Sequence, residues 1–230
     1  MRTLIAIHSC QADANNGRND AIRETWLEDA NRFSDYKFFV GGIGKSPRKD
    51  EVLLEADDSG RALIYKDAAI LRWALDHGYE RIFKTETDVY VDLPVMFNSD
   101  YGAADVIGRL IGPEWGQLYP RTNVYCFIQG HGVWYSQKAA QFIADELVST
   151  YERLSPQSET EPNQADLGPR SSDLWSGQLL TEKWREGLIT VRPDACYAHG
   201  PFTYHLQGDY YVKKGTPAWL RKMHRDLGRS

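Results

Sequence analysis

Two acidic residues, separated by a single residue, lie in the segment KTETDVYVD, which covers Lys84–Asp92. Glu86 and Asp88 follow a short, mostly apolar stretch that we expect to be a buried strand, and a second strand-like run comes directly after them. In an α/β sheet, ligands collect at the carboxyl ends of the strands. Two carboxylates at such an edge can hold a hard divalent cation, which takes oxygen ligands and shares them with substrate phosphates. The alternative is a solvated turn whose alternating acids face water.

Strands and helices alternate along the chain, and this pattern predicts an α/β fold with a mixed sheet. The predicted strands cover residues 3–7, 36–40, 62–65, 81–83, 105–108, 125–128, 132–135 and 188–191. The predicted helices run from Asn19 or Asp20 to about Ala30, over 67–77, from Pro94 for a short distance, over 137–154 and over 172–185. Residues 155–171 form a polar, proline-rich loop that is too long for an ordinary connector.

Composition limits the class of protein. With 230 residues, of which 42% are hydrophobic, the chain can bury a sizeable core as one domain or as two tightly joined halves. The net charge is −5, but residues 211–230 carry +5 and the remainder therefore carries −10. An acidic body of this kind does not resemble a general nucleic-acid binder, so we predict no nucleic-acid partner. The three cysteines, Cys10, Cys126 and Cys196, fit neither a disulfide framework nor a CxxC metal site.

No targeting segment is visible in the sequence. The apolar run near the amino terminus stops at His8, which is too short for a signal peptide or a membrane span, and we expect it to form the first core strand. No N-x-[ST] glycosylation sequon occurs. Together these features favour a cytoplasmic protein.

Two familiar nucleotide-binding motifs are not supported. Gly44-Lys45-Ser46 resembles the end of a P-loop, but that loop needs a glycine five positions before Gly44, where Phe39 stands. The sequence contains no GxGxxG, so a dinucleotide-binding fold has no support. It also contains no GxSxG, so a serine-hydrolase elbow is missing.

Four blocks, taken together and in order, resemble the β1,3-galactosyltransferase and Fringe-type glycosyltransferases, which have a GT-A fold. They extend across most of the chain: RNDAIRETW (Arg18–Trp26), FKTETDVYV (Phe83–Val91), YCFIQGHGVWYS (Tyr125–Ser136) and SSDLWSGQLL (Ser171–Leu180). The resemblance implies a GT-A-like nucleotide-sugar-binding fold, α/β with a central mixed sheet flanked by helices. It also implies a single catalytic domain over residues 1–210, followed by a tail over residues 211–230.

The resemblance assigns metal-binding roles to the acidic segment. Asp88 matches the family's main ligand for Mn²⁺ or Mg²⁺, and Glu86 can contribute a further oxygen. The family has three aspartates here, whereas this chain has Glu86-Thr87-Asp88. GT-A enzymes often supply a late metal ligand after the last strand, which makes His199 or His205 a candidate, and the turn-forming Gly-Pro that follows favours His199.

Asp173 matches the position of the family's catalytic base, because the family's Glu-Asp pair becomes Ser172-Asp173 here. In an inverting transfer, one base on the opposite face of the sugar takes the proton of the acceptor hydroxyl. The helix signals by themselves favour a different role, since an acid at the start of a helix stabilises the helix dipole without any catalysis.

Other residues of the matching blocks have weaker assignments. Arg18 and Arg23 would bind the diphosphate, or else be solvated on a surface helix. Lys84 alternates with the two acids and would pair with them or with the donor. Within the third and fourth blocks, an acceptor-side surface would include Gly130, Gly132, Trp134 and Trp175, with core packing as the alternative for the two tryptophans.

The predicted function is a metal-dependent, inverting glycosyltransferase that moves a hexose from a UDP-sugar to a glycan, lipid-linked or protein acceptor. Two alternatives stay open. One is a nucleotidyltransferase, although a glycine-rich phosphate loop near the first strand is missing. The other is a non-catalytic protein of the same fold that binds nucleotide sugars or glycans.

The basic tail predicts a short helix that Thr216 caps and Pro217 begins. Its apolar face fits a peripheral helix on an anionic membrane. The alternative is that this face packs on the domain while the basic residues are solvated. The apolar face consists of Trp219, Leu220, Met223 and Leu227, and the basic residues are Arg221, Lys222, Arg225 and Arg229.

Overall fold

The computed structural model describes residues 1–28, 30–42, 48–59, 62–112, 114–118, 125–158, 172–193, 203–204 and 216–228. Several features singled out in the sequence lie outside this part of the chain: Gly44-Lys45-Ser46, Cys196, His199, His205, Arg229 and most of the predicted loop over 155–171.

Seven strands form a central mixed sheet in the order β3-β2-β1-β4-β7-β6-β8. A separate two-stranded sheet pairs β5 with β9. The strand bounds are β1 Thr3–His8, β2 Asp35–Gly41, β3 Glu51–Leu54, β4 Arg81–Glu86, β5 Tyr90–Val91, β6 Val106–Ile111, β7 Phe127–Ser136, β8 Val191–Pro193 and β9 Thr203–Tyr204.

Strand direction brings the ends of several strands to one edge of the sheet. β1 is parallel to β2 and β4, while β7 is antiparallel to β4 and β6. Within this register His8 pairs with Glu86. The carboxyl ends of β1, β2 and β4 therefore open at the same edge, and the first half of β7 lies beside them. This arrangement is the mixed α/β sheet that the sequence predicts.

Helices cover both faces of the sheet. The side chains of β1 point alternately into two hydrophobic cores. Leu4 and Ala6 belong to the first cluster, and Ile5 and Ile7 belong to the second. The first cluster packs under α3, α5 and α6, and the second under α2, α4 and α7. The helix bounds are α1 Gln11–Asn15, α2 Arg18–Arg23, α3 Leu63–Asp76, α4 Leu93–Asn98, α5 Gln137–Ser158, α6 Ser172–Arg185 and α7 Pro217–Asp226.

The strand predicted over 62–65 is wrong, because α3 begins at Leu63. Ile64, Ala68 and Leu71 are all buried, and their spacing is that of one helix face. The period of the buried residues therefore overrides the local β-propensity of the apolar run. β3 was not predicted at all, and the two strands predicted over 125–128 and 132–135 are one continuous strand, β7.

The first predicted long helix is shorter than expected. α2 begins at Arg18, after Gly17 with φ 83°, and not at Asn19 or Asp20. Asn19 is fully buried and accepts a hydrogen bond from Ser9 Oγ at 2.8 Å, so its side chain contacts the residue that directly follows β1 rather than capping the helix. The hydroxyl of Thr25 donates to the Ala21 carbonyl, which competes with continuation of the helix.

The C-terminal helix packs on the domain. Thr216 caps α7 by accepting a hydrogen bond from the Trp219 amide at 3.2 Å, as predicted. Trp219 and Leu220 are buried in the second core cluster, and Arg221 pairs with Glu24 at 2.6 Å. The apolar face is thus used for packing, which is the second of the two predicted alternatives. Among the described residues, no helix combines the length and apolarity that crossing a bilayer requires.

Candidate active site

The two acids of the KTETDVYVD segment lie at the carboxyl edge of the sheet. Glu86 is the last residue of β4, and Asp88 follows in the turn that leads to β5. On the neighbouring strand β7, Gly132 pairs with Thr85, which places His131 across from Glu86. The His131 Nε2 atom is 3.4 Å from the Glu86 Oε2 atom.

Glu86, Asp88 and His131 form a candidate metal centre. One carboxylate oxygen from each acid and one ring nitrogen of the histidine all lie within 4.8 Å of one another. Carboxylates suit Mg²⁺ and Mn²⁺, whereas imidazole suits later transition metals, so a set of two carboxylates and one imidazole fits Mn²⁺ better than Mg²⁺. The sequence reasoning missed His131, although it lies between Gly130 and Gly132 in a block already singled out.

The local environment makes Glu86 a weak acid. Burial, followed by the negative charges of Asp173 and Asp88, raises the pKa of Glu86 to about 8. The ionised form therefore carries a penalty, although the side chain is 35% exposed, and the carboxyl keeps its proton to a higher pH than that of a free glutamate. A bound cation would remove this penalty, since an opposite charge favours the ionised form.

Asp173 lies in the first turn of α6, and its side chain turns to the sheet. Its Oδ2 atom accepts a hydrogen bond from the Gly130 amide at 2.8 Å. A Cβ atom at position 130 would be 2.3 Å from Asp173 Oδ1, so this approach requires glycine. Burial raises the pKa of Asp173, against the opposing effects of Lys84 and the Gly130 amide. A raised pKa suits a general base that works near neutral pH.

A buried ionic network lies beneath these acids. Lys84 Nζ is 2.8 Å from Asp67 Oδ2, and both side chains are only 3% exposed. The pKa values of the two groups shift in opposite directions. Burial opposes the ionised form of each, but their mutual attraction outweighs this effect, so the pKa of Lys84 is raised and the pKa of Asp67 is lowered. His8 Nδ1 contacts the other Asp67 oxygen at 2.9 Å. Burial lowers the pKa of His8, so its neutral ring donates from Nδ1 to Asp67.

Lys84 therefore stabilises the site from within rather than facing a ligand. Its ammonium group pairs with Asp67 on α3, and the predicted pairing with Glu86 or with the donor is replaced by this contact. Its positive charge still acts on both Glu86 and Asp173, lowering the pKa of each against the effect of burial.

A cavity of about 390 Å³ opens beside the acidic turn. It lies at the carboxyl end of β1, at the edge where an α/β sheet collects its ligands. The walls combine carboxylates with two cationic side chains, which suits a ligand that carries phosphate together with a cation. The lining residues are His8, Ser9, Cys10, Asp13, Arg18, Asp58, Leu63, Lys66, Glu86, Thr87 and Asp88.

The two predicted diphosphate-binding arginines have different surroundings. Arg18 lines the cavity, and its Nη1 atom is 2.7 Å from Asp13 Oδ1. Arg23 does not line the cavity: it pairs with Asp50 at 2.6 Å and Glu51 at 2.6 Å, and its guanidinium lies over the Phe38 ring. The structure thus brings Arg18 but not Arg23 to the acidic turn.

The two predicted acceptor-side tryptophans are in the core. Trp134 is fully buried and stacks on Tyr101 with a centroid distance of 4.4 Å. Trp175 is 2% exposed and contacts the edge of Tyr151. Both side chains therefore pack in the core, which was the alternative to an acceptor-side role. The two candidate late ligands, His199 and His205, lie outside the described residues.

Comparison with known proteins gives limited information. No family model and no curated protein matches this sequence. Two solved structures with partial likeness are glycosyltransferases. The glycosyltransferase GlyE of Streptococcus pneumoniae TIGR4 is 12% identical, with a TM-score of 0.41 over 73% of this chain and 42% of its own. A glycosyltransferase involved in the glycosylation of the major capsid of PBCV-1 is 15% identical, with a TM-score of 0.43 over 71% of this chain and 72% of its own.

This chain thus spans less than half the length of GlyE. Similarity this low leaves the function to be derived from the residues of the site. The resemblance to β1,3-galactosyltransferases and Fringe-type enzymes stays a prediction, because no family model matches.

Proposed function

We propose that this protein is a metal-dependent glycosyltransferase that transfers a hexose from a UDP-sugar to a hydroxyl acceptor with inversion at the sugar. The observation that carries the proposal is the grouping of Glu86, Asp88 and His131 at the sheet edge, beside a cavity that Arg18 also lines. A metal–diphosphate ligand needs both an anionic pocket for the cation and a guanidinium for phosphate oxygens.

Glu86, Asp88 and His131 would hold the cation, with Mn²⁺ as the better fit to this donor set. When bound, a divalent cation neutralises the charge that develops on the departing diphosphate. Arg18, which also lines the cavity, would bind phosphate oxygens, since its guanidinium presents several donors in one plane.

Asp173 would take the proton of the acceptor hydroxyl as the new glycosidic bond forms. Two features support this role: its raised pKa and the Gly130 amide, which fixes the carboxylate while leaving lone pairs for a proton. The acceptor would be a glycan, a lipid-linked glycan or a protein hydroxyl.

The experiment is a donor panel with and without metal. UDP-galactose, UDP-N-acetylglucosamine and UDP-glucose are incubated with the protein in Mn²⁺, in Mg²⁺ or in EDTA, and UDP release is measured with and without mixed sugar acceptors. We expect metal-dependent UDP release for one donor, with Asp88→Ala inactive and Glu86→Ala less impaired because its carboxylate only supplements Asp88. Asp100→Ala is the control, because this carboxylate is 75% exposed, follows the end of α4 and pairs with Arg192.

Full activity in EDTA, or in Asp88→Ala, would contradict the proposal. Binding of a UDP-sugar without any UDP release under all these conditions would show the non-catalytic alternative instead. Thermal shift with the same ligands detects such binding, since a ligand of the native state raises the melting temperature.

A further inference from the structure

Asp13 connects the acidic turn to the cationic side of the cavity. One oxygen of its carboxylate, Oδ2, accepts a hydrogen bond from the hydroxyl of Thr87. The other oxygen, Oδ1, is 2.7 Å from Arg18 Nη1. Asp13 is 8% exposed and Thr87 is 4% exposed, so water competes weakly for either contact.

Thr87 is well placed to fix the geometry of the candidate metal centre. It lies between Glu86 and Asp88 in the chain, so its side chain fixes the peptide units that carry both carboxylates. Its hydroxyl is directed to α1, on the opposite side of the turn from His131 on β7. A single hydrogen bond from Thr87 therefore restricts the position of both acids.

Arg18 is fixed by the same carboxylate. It is the first residue of α2, and its backbone amide is bonded to the Asn16 side chain at 3.0 Å. The guanidinium would otherwise be free to move through several rotamers, because an arginine side chain has many accessible conformations. The ion pair with Asp13 restricts it to the cavity wall.

We propose that Asp13 is a positioning residue that couples the metal centre to the diphosphate-binding arginine, and that Thr87 is the part of the acidic turn through which it acts. The inference rests on the proposed function for the identity of the ligand. Neither Asp13 nor Thr87 needs to contact the ligand. The two contacts of Asp13, with Thr87 and with Arg18, set the distance between Arg18 and the two acids. A cation and a diphosphate then bind better together than either does alone.

This role also accounts for threonine at the centre of the turn, where the resembled family has aspartate. A hydroxyl can donate to Asp13, whereas a carboxylate at position 87 would meet the Asp13 carboxylate as a like charge. Like charges at this separation in a buried site strongly disfavour double ionisation.

The test uses Thr87→Val, which keeps the shape of the side chain and removes the hydroxyl. Mn²⁺ binding is measured by electron paramagnetic resonance, alone and with inorganic pyrophosphate. We expect Thr87→Val to weaken Mn²⁺ binding about 10-fold, as is typical when an outer partner of a metal site is lost. We also expect Thr87→Val to reduce the degree to which Mn²⁺ and pyrophosphate strengthen each other's binding. Thr87→Ser keeps the hydroxyl and should behave like the parent.

Thr25→Val is the matched control. Thr25 is 2% exposed, and its hydroxyl donates to the Ala21 carbonyl within α2, whereas the hydroxyl of Thr87 donates to Asp13. This variant also loses a buried hydroxyl hydrogen bond, so it shows what general destabilisation does to Mn²⁺ binding. We expect Mn²⁺ affinity within about 2-fold of the parent for Thr25→Val.

The outcomes separate this inference from the proposed function. A parent that binds Mn²⁺ and pyrophosphate but never releases UDP from any donor would refute the glycosyltransferase proposal, while the Thr87 comparison would still decide the role of Asp13. Equal Mn²⁺ affinity and equal coupling in the parent and in Thr87→Val would overturn the inference. A parent that binds no Mn²⁺ would overturn it as well.

Discussion

Among the predicted site residues, Asp173 is one for which the structure adds contacts that the sequence did not show. At the sequence level it could have been only a helix cap, but its carboxylate is held by the Gly130 amide of β7 and lies near the acids of the turn. Helix capping alone would not require this contact between the Asp173 carboxylate and β7. The close approach at Gly130 leaves no room for a Cβ atom.

We predict that Asp173→Asn lowers turnover by about 10²- to 10⁴-fold, the usual contribution of a general base. The amide oxygen can still accept the Gly130 hydrogen bond, so the fold and the donor affinity should change little. The measurement is kcat for UDP release in the presence of acceptor, together with the donor KM. Turnover within a few-fold of the parent would leave Asp173 with a structural role only.

Glu86 gives a second prediction at this scale, concerning stability in the absence of metal. Its pKa is about 8 in the folded protein and near its ordinary value of 4.5 in the unfolded chain. Below about pH 4.5 the carboxyl is protonated in both states. As the pH rises toward 8, the unfolded state loses its proton first, so the free energy of unfolding falls.

Glu86→Gln removes this titration. In EDTA we therefore expect the variant to gain stability relative to the parent as the pH rises from about 4.5 to 8, with no further gain above that range. Urea unfolding at pH 4.5, 6, 7 and 8 measures the difference. Added Mn²⁺ should stabilise the parent more than the variant. A difference between the two proteins that is independent of pH would contradict the assigned pKa shift.

At the scale of elements, the Lys84–Asp67 pair joins β4 to α3 inside the protein. Both side chains are 3% exposed, so removal of one partner leaves a buried, uncompensated charge. We predict that Asp67→Asn lowers the free energy of unfolding by about 3–5 kcal/mol at pH 7. Urea unfolding measures this change.

The control for that prediction is an exposed pair between two helices. Arg72 on α3 pairs with Asp145 on α5, where the side chains are 41% and 44% exposed. Solvent-exposed pairs contribute about 0–1 kcal/mol, so Asp145→Asn should cost far less than Asp67→Asn. Equal effects of the two variants would show that burial of the Lys84–Asp67 pair has no energetic consequence.

Element boundaries illustrate where sequence patterns succeed. The strand that leads to Glu86 and the helix from Ser172 to Arg185 were predicted at the right places, because a short apolar run marks the strand and an acid in the first turn marks the start of the helix. α3 was predicted to begin at Asp67 but begins at Leu63. Three of the four residues in between, Leu63, Ile64 and Tyr65, form a short apolar run, whose conformation depends on which face the tertiary structure buries.

For the whole molecule, α7 completes the second core rather than extending from the domain. Leu220 is fully buried beside Trp219, and Tyr90 on β5 is bonded to His224 of α7 at 2.8 Å. The helix therefore contacts the strand that directly follows the acidic turn. Its apolar residues pack on the second core cluster.

We predict that Leu220→Ala lowers the free energy of unfolding by about 2–5 kcal/mol, the usual cost of truncating a fully buried leucine. Lys222→Ala is the control, because this side chain is 63% exposed and should change stability by no more than about 0.5 kcal/mol. Thermal or urea unfolding measures both variants. A Leu220→Ala protein as stable as the parent, combined with binding to anionic vesicles, would favour the membrane alternative.

The sequence by itself determined the α/β class, a strand over residues 81–83 and the pair of acids that follows it. These features follow from local composition and from chain continuity, since residues that are close in the sequence stay close in any fold. Only the tertiary structure brought His131 to those acids. The histidines that the sequence suggested, His199 and His205, lie outside the described residues. Strand register brings His131 across from Glu86, helix packing brings Asp173 to Gly130, and burial pairs Lys84 with Asp67. Such contacts join residues far apart in the chain, so they depend on the packing of whole elements, which no local pattern encodes.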